Sequence, residues 1–552
     1  MRVAEAVARE LARLGIDQVF GVVGSGNFHV TNALVAAGAR FVATRHEAGA
    51  ATMADAHART TGAVAAVTVH QGCGLTNALT AITEAAKSRT PLLVLSADTA
   101  ASDLLSNFHI DQPAVLNGLG VATESITSPA TAVRDATRAF RRAAVDRRTV
   151  VLNLPLDIQE APVPLSAVPP VPPPARSPAR PEPAAVASLA ELLRTARSPV
   201  FVAGRGARLA GAAGVLSDLA EHSGALLATS AVARGMFADH PWSIDVAGGF
   251  ASPLTADLLR EADLVVAWGA SLNSWTLRNG ELLSPDASVV QIDDDTEALA
   301  VHTRVDLALL GDVGATARAA LEEVRERPRC EPSWRTPDLR ESIAQRCRWR
   351  DVPFTDTSTE DTIDPRTLTI ALDDVLPRER VVAPDGGNFN GYPAMFLGVP
   401  DARGFCLTLA FASIGLGVAT AIGAGLASPG RVAVAGVGDG GFMMSHVELN
   451  TAVRMEVPLI VVVYNDHAYG AEVHHFAPHG YATDIVEFPE TDIARIARGH
   501  GCEAVTVRTL ADLKEVERWV DGSRRAPLVI DARITSFPSW LIDHAFAADA
   551  GP

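Results

Sequence analysis

"RVAVAGVGDGGFMM", Arg431 to Met444, runs through valine, alanine and glycine into a single carboxylate, Asp439, held between glycines. A short apolar run closed by a turn reads as a strand buried on both faces, the kind found in a parallel sheet covered by helices. In doubly wound sheets, ligands sit at the carboxyl ends of strands. Glycine there lets backbone N–H groups approach a phosphate, and a following helix N-terminus favours negative charge. No GxxxxGK[ST] pattern is present, so the turn is not a nucleotide P-loop. A carboxylate at that place repels phosphate unless a cation lies between them, and Mg²⁺, which combines a few oxygen ligands with substrate phosphates, suits the arrangement. A second strand end, "VVVYNDHAYG", supplies Asn465 and Asp466, so two strand ends are expected to grip one metal–diphosphate.

Working outward, "RVVAPDGG", "PLIVVVYND" and "PLVIDARI" read as further strands of the same α/β unit. "QVFGVV", "RFVAT", "VAAVTV", "PLLVLSA" and "TVVLNLP" form a first such unit, and "PVFVAGRGA", "ADLVVAWGAS" and "ASVVQIDDD" a middle one. The expected organisation is three doubly wound α/β domains with parallel sheets over residues 1–165, 186–328 and 366–552. A proline-rich connector at 166–185 and a second linker at 329–365 separate them. "VFGVVGSGNF" and "RVVAPDGGNF" echo each other, as duplicated units would.

Composition narrows the function. The formal charge of −17, with Lys87 and Lys514 the only lysines, argues against a nucleic-acid partner bound through its phosphates. Five cysteines without close pairing suit reduced thiols in the cytoplasm and offer no zinc site. "MRVAEAVARELARLGI" spaces Val3, Val7, Leu11 and Leu14 as an amphipathic helix, unlike a signal peptide. The uncharged stretch 409–427 is rich in glycine and alanine and reads as a helix buried on a sheet, so no membrane segment is expected.

"GDGGFMMSHVELNTAVRMEVPLIVVVYNDHAYG" resembles the signature of thiamine diphosphate-dependent enzymes: Gly-Asp-Gly, a helix and strand of set length, then Asn-Asn. "TRHEAGAATMADAHARTTG", "GCGLTNALTAITEAAKSRTPLLVL" and "FASIGLGVATAIGAGLASPGR" are similar, in the same order, to the acetolactate synthase branch. The resemblance covers nearly the whole chain. It implies Mg²⁺ held by Asp439, Asp466 and the carbonyl of Ala468, with Asp466 standing where the family usually has asparagine. Gly440, Gly441 and Tyr469 are carried over as further cofactor contacts, and Gly387, Asn388 and Phe389 as a second turn against the diphosphate. Ile414 is implied as the wedge that bends the cofactor, and the carbonyl of Ala412 as the acceptor for its amino group. Glu47 is implied as the glutamate that exchanges a proton with the aminopyrimidine ring, a task that burial favours by raising a carboxyl pKa.

Four side chains bear on the reaction. Ser25 and His70 fall where the similar benzoylformate decarboxylases have serine and histidine, and Glu472 matches a glutamate of pyruvate decarboxylases. His109 lies in the loop where acetolactate synthases usually carry glutamine. The reading is decarboxylation of a 2-oxo acid, pyruvate by default, with carboligation to an aldehyde or second 2-oxo acid. A simple decarboxylase is the first alternative. The second is a flavin-dependent oxidase holding FAD in the middle domain, which is not favoured because Ser271 replaces an arginine common in flavin-binding members. The family builds its site between two chains, which implies a homodimer or homotetramer.

Overall fold

The computed structural model describes residues 1–165, 167, 177–326 and 334–545; much of the proline-rich connector, Cys330 and the chain's last residues lie outside them. The apolar runs become strands because each supplies side chains to both faces of a covered sheet. In the first domain these are β1 (Gln18–Gly21), β2 (Arg40–Ala43), β3 (Ala65–Val69), β4 (Leu92–Asp98), β5 (Ala122–Ser125) and β6 (Thr149–Pro155), ordered β2-β1-β3-β4-β6-β5. The middle domain contributes β7 (Pro199–Ala203), β8 (Leu226–Thr229), β9 (Ser243–Val246), β10 (Leu264–Trp268), β11 (Ser288–Asp293) and β12 (Leu307–Leu310), ordered β12-β11-β10-β7-β8-β9. That order reverses between β7 and β10, as in dinucleotide-binding sheets. The third domain holds β13 (Arg380–Pro384), β14 (Val432–Gly438), β15 (Leu459–Asn465), β16 (Glu503–Val507) and β17 (Leu528–Arg533), ordered β13-β14-β15-β17-β16. Every pairing is parallel.

Strands β5, β8, β9, β12 and β16 were not marked by the apolar runs. Of these, β5, β9 and β16 mix polar with apolar residues, and β8 and β12 are runs of only four residues, too short to announce a strand by periodicity. The first and third sheets share one order if β13 takes the place of β1 and β14 that of β3; a parallel bridge from Val382 to Phe405 then stands where β2 does. The sequence echo thus falls on the first strand of each sheet.

These two domains meet through helices Glu47–Thr61 and Gly417–Leu426, both rich in alanine and glycine. At Gly423 a Cβ would overlap the Met53 carbonyl oxygen, so only glycine permits this backbone approach. The helix expected over 409–427 is shorter than the pattern indicated. Residues 409–416 form a loop instead, because their N–H groups are taken by distant carboxylates: Glu84 accepts from Ala410 and Phe411, and Asp385 from Gly415 and Leu416. Among the described residues, no helix is long and apolar enough to cross a membrane.

Candidate active site

Gly438 and Tyr464 are paired in register, so Asp439 and Asp466 leave neighbouring strand ends. Asp439 opens the helix Asp439–Ser445, is buried, and its Oδ1 has no hydrogen-bond partner. Burial first, then the charge of Asp466, pushes its pKa up to about 7. Burial raises Asp466 to about 6, against the opposing backbone N–H of Ala468. Ala468 bridges to Glu487 at a position where the ladder bonds run from Phe488 N to His467 O and from Tyr469 N to Val486 O. The Ala468 carbonyl is therefore not spent on that pairing.

Among the described residues no three His, Cys, Asp or Glu side chains gather as a metal cage. One buried and one half-buried carboxylate, an orphaned oxygen and an unspent carbonyl fit a hard cation that completes its shell with phosphate oxygens and water. Asn465 is a strut in this arrangement. Its Oδ1 accepts from His467 N, and its Nδ2 donates to buried Asp531 at 2.8 Å. Tyr469 packs its ring over Gly440, where any Cβ would strike it, and so ties the two turns together.

The second expected diphosphate turn divides its tasks. Gly387 has φ 126°, which favours glycine. The Asn388 side chain is committed to the C-terminal segment, donating to Phe537 O and accepting from Ser539 N at 2.8 Å. Phe389 lies in the core, stacked on Tyr464 with ring centroids 5.7 Å apart. These two side chains build the turn from behind. Asp385, beside them, was not among the expected site residues. Its buried carboxylate accepts from Gly386, Gly415 and Leu416 and thereby fixes the loop that carries Ala412 and Ile414. The signal was present as a second strand-end aspartate before paired glycines, "PDGG".

At its other end that loop is held by a buried cluster: Arg59 bridges Asp55 and Glu84, and Glu84 bonds Ala410 and Phe411. Ala412 sits at φ 59° between these anchors, a strained conformation for a residue with a Cβ. Ile414 is half-buried and touches the space over Gly386.

In the first domain, Glu47 is half-buried at the start of its helix, and its Oε2 accepts from Asn77 Nδ2 at 3.0 Å. Glu448, from the third domain, braces the same helix start. Its buried carboxylate accepts from Arg45 N and His46 N. Ser25 and His70 come together, Oγ to Nε2 3.4 Å. Because His70 Nδ1 faces the Gln71 carbonyl at 2.9 Å, it must be the donor, which leaves Nε2 of the neutral ring as acceptor. Phe108 sets its ring edge against His70, and His109 bonds Thr99 at 2.8 Å. Buried Gln112 holds Gly72 N through Oε1, an anchor without a local sequence signal. Glu472 is exposed on the helix Gly470–Phe476, and no side-chain bond joins it to these groups.

Two α/β sheets of one topology, one ending in a pair of carboxylates and the other backing a glutamate at a helix start, fit a cofactor-dependent enzyme. Family models agree domain by domain. "Thiamine pyrophosphate enzyme, N-terminal TPP binding domain" matches residues 1–115, the central domain of that family 186–320, and its C-terminal TPP binding domain 385–532. A probable 2-ketoarginine decarboxylase of Pseudomonas aeruginosa is 31% identical, covering 93% of this chain and 90% of that protein. Sulfoacetaldehyde acetyltransferase of Castellaniella defragrans is 28% identical over 93% and 89%, and acetolactate synthase isozyme 3 large subunit of Escherichia coli 29% over 85% and 82%. A solved thiamine diphosphate-dependent 4-hydroxybenzoylformate decarboxylase of Rhodococcus jostii shares the fold, with TM-score 0.82 and 21% identity over 98% of this chain and 100% of that one. The chain belongs to the thiamine diphosphate-dependent enzymes.

Proposed function

We propose that the protein decarboxylates a 2-oxo acid, pyruvate by default, and passes the retained fragment to an aldehyde or 2-oxo acid acceptor. The observation that carries the decarboxylation step is the Asp439–Asp466 pair with the unspent Ala468 carbonyl, which fits a metal–diphosphate, and likeness to an acetolactate synthase and a sulfoacetaldehyde acetyltransferase supports transfer of the fragment to an acceptor. Bound thiamine diphosphate would supply both a nucleophilic carbon and a cationic ring able to take up the electron pair released when CO₂ departs. The chain's residues do the rest. Asp439, Asp466 and the Ala468 carbonyl would hold Mg²⁺ against the diphosphate, and Ile414 would hold the cofactor bent. Asn77 occupies Glu47 Oε2, leaving Oε1 to carry the proton shared with the cofactor ring. His70 Nε2, which accepts from Ser25, can orient a substrate carboxylate through the serine when neutral and deliver a proton when charged.

Glu47 is only half-buried in the single chain, while Cys73, Asn77, Met443, Met444 and Val447 are exposed. A second copy would bury these groups and complete the site, which supports a homodimer or a pair of dimers. Simple decarboxylation is the second reading. The same Ser25–His70 pair favours it, since a proton donor at that place would release the fragment as an aldehyde.

Incubation with Mg²⁺, thiamine diphosphate and a panel of 2-oxo acids, with and without aldehydes, separates the two. Coupled products seen by mass spectrometry support carboligation, and aldehyde as sole product under every condition supports the second reading. No CO₂ from any 2-oxo acid would overturn both. A flavin band in the visible spectrum would instead favour the oxidase.

A further inference from the structure

Away from that site, at the amino end of β13, a cavity of about 610 Å³ opens between the middle domain, the helix Pro337–Arg346 and the third domain. Its volume is that of a metabolite pocket. Ile343, Leu376, Met395 and Phe396 give it apolar wall, and five arginines face it against three aspartates, in a chain whose net charge is −17. Most of these charges are already matched. Asp373 takes Arg380 and Arg350, and Asp239 takes Arg378.

Arg234 is the exception. It is 4% exposed, yet its Nε and Nη1 make no hydrogen bond. Its nearest carboxylate, Asp245, stands 3.8 Å away, beyond hydrogen-bond length, and its guanidinium lies 5.4 Å from the Phe405 ring centroid. Burial lowers the Arg380 pKa, Asp373 opposes this, and the neighbouring charges of Arg234 and Arg350 lower it further. A buried guanidinium with two idle donors, crowded by like charges, is costly unless an anion meets it. Arginine's planar fork is suited to a carboxylate or phosphate group.

We propose that this interdomain cavity binds a small organic anion, its carboxylate or phosphate group on Arg234 and its apolar part against Ile343 and Phe396. The site is separate from the cofactor centre. It touches both the middle and third domains, so occupancy would bias their relative packing.

The test uses the holoenzyme saturated with Mg²⁺ and thiamine diphosphate, so that the diphosphate site is filled. Calorimetric titration with hexanoate, hexyl phosphate and inorganic phosphate distinguishes carboxylate, phosphate ester and bare phosphate as the bound chemistry. One site per chain for at least one of the organic anions is expected, weakened tenfold or more by Arg234→Met. The thermal midpoint without anion should be unchanged or higher in that variant, because an under-partnered charge has been removed. Asp245→Asn, which removes the competing carboxylate, should bind the same anion more tightly. Absence of binding to the holoenzyme would overturn the proposal. So would binding that Arg234→Met leaves intact, or failure of Asp245→Asn to tighten it.

Discussion

The first and third sheets have the same strand order and each packs a helix against the other domain, yet their equivalent strand ends carry different side chains. After β3 come His70, Gln71 and Gly72, and after β14 come Asp439, Gly440 and Gly441. One end offers an imidazole and a nearby serine. The other offers a buried carboxylate with an orphaned oxygen and a second carboxylate close by. On the proposed function, a shared topology sets where the chemistry occurs, while a few strand-end residues suit one end to protons and the other to a cation.

The comparison is broken most sharply by exchanging one function at a time. Glu47→Gln should lower turnover by about 10²- to 10⁴-fold while calorimetric affinity for Mg²⁺ and thiamine diphosphate and the circular dichroism spectrum stay near those of the parent. Asp439→Asn should do the reverse, weakening cofactor binding by at least about 100-fold, as loss of a metal ligand exceeds loss of its outer partners. Equal cofactor loss in both variants would mean that the two halves do not divide the work.

Removing the cation exposes the carboxylate pair to its own repulsion. Asp439 and Asp466 are raised to about 7 and about 6. Between the ordinary aspartate range and those values the folded apoprotein holds more protons than the unfolded chain. Apoprotein stability contributed by the pair is present at low pH and is lost as pH rises toward 7. The rise in thermal midpoint on adding Mg²⁺ and thiamine diphosphate should accordingly be larger near about pH 7.5 than near about pH 5.5. An increment independent of pH would contradict the pairing.

Smaller effects sharpen the contact between the halves. Glu448→Ala leaves Arg45 N and His46 N without their acceptor and should cost about 1–3 kcal/mol in denaturant unfolding. Ala412→Gly relieves a positive φ and should add about 1 kcal/mol to stability by the same measurement. A loss in that variant would show that the loop is not strained.

How much of this was legible depends on how local each signal is. Asp439 and Asp466 could be singled out because each follows an apolar run at a turn, and the period of that run specifies a strand, whereas Glu47 was reached only through the resemblance to a known family. Strands β13, β14, β15 and β17 were legible from their own apolar runs, since each holds at least three consecutive buried apolar residues. Asn388 and Phe389 were also visible as a turn. Their side chains, however, proved to serve the C-terminal segment and the core, and no local pattern distinguishes those uses.

Only the tertiary structure decided what braces the site. Glu448 meets Arg45 across 403 positions of sequence, Glu84 meets Phe411 across 327, and Asp385 reaches Gly415 only after the chain has turned back. A carboxylate that satisfies remote backbone N–H groups leaves no periodicity or spacing to read, because its partners are supplied by packing rather than by neighbours along the chain. The Arg234 cavity exists for the same reason: three separated segments close around one guanidinium, and its missing partner becomes visible only once they have met.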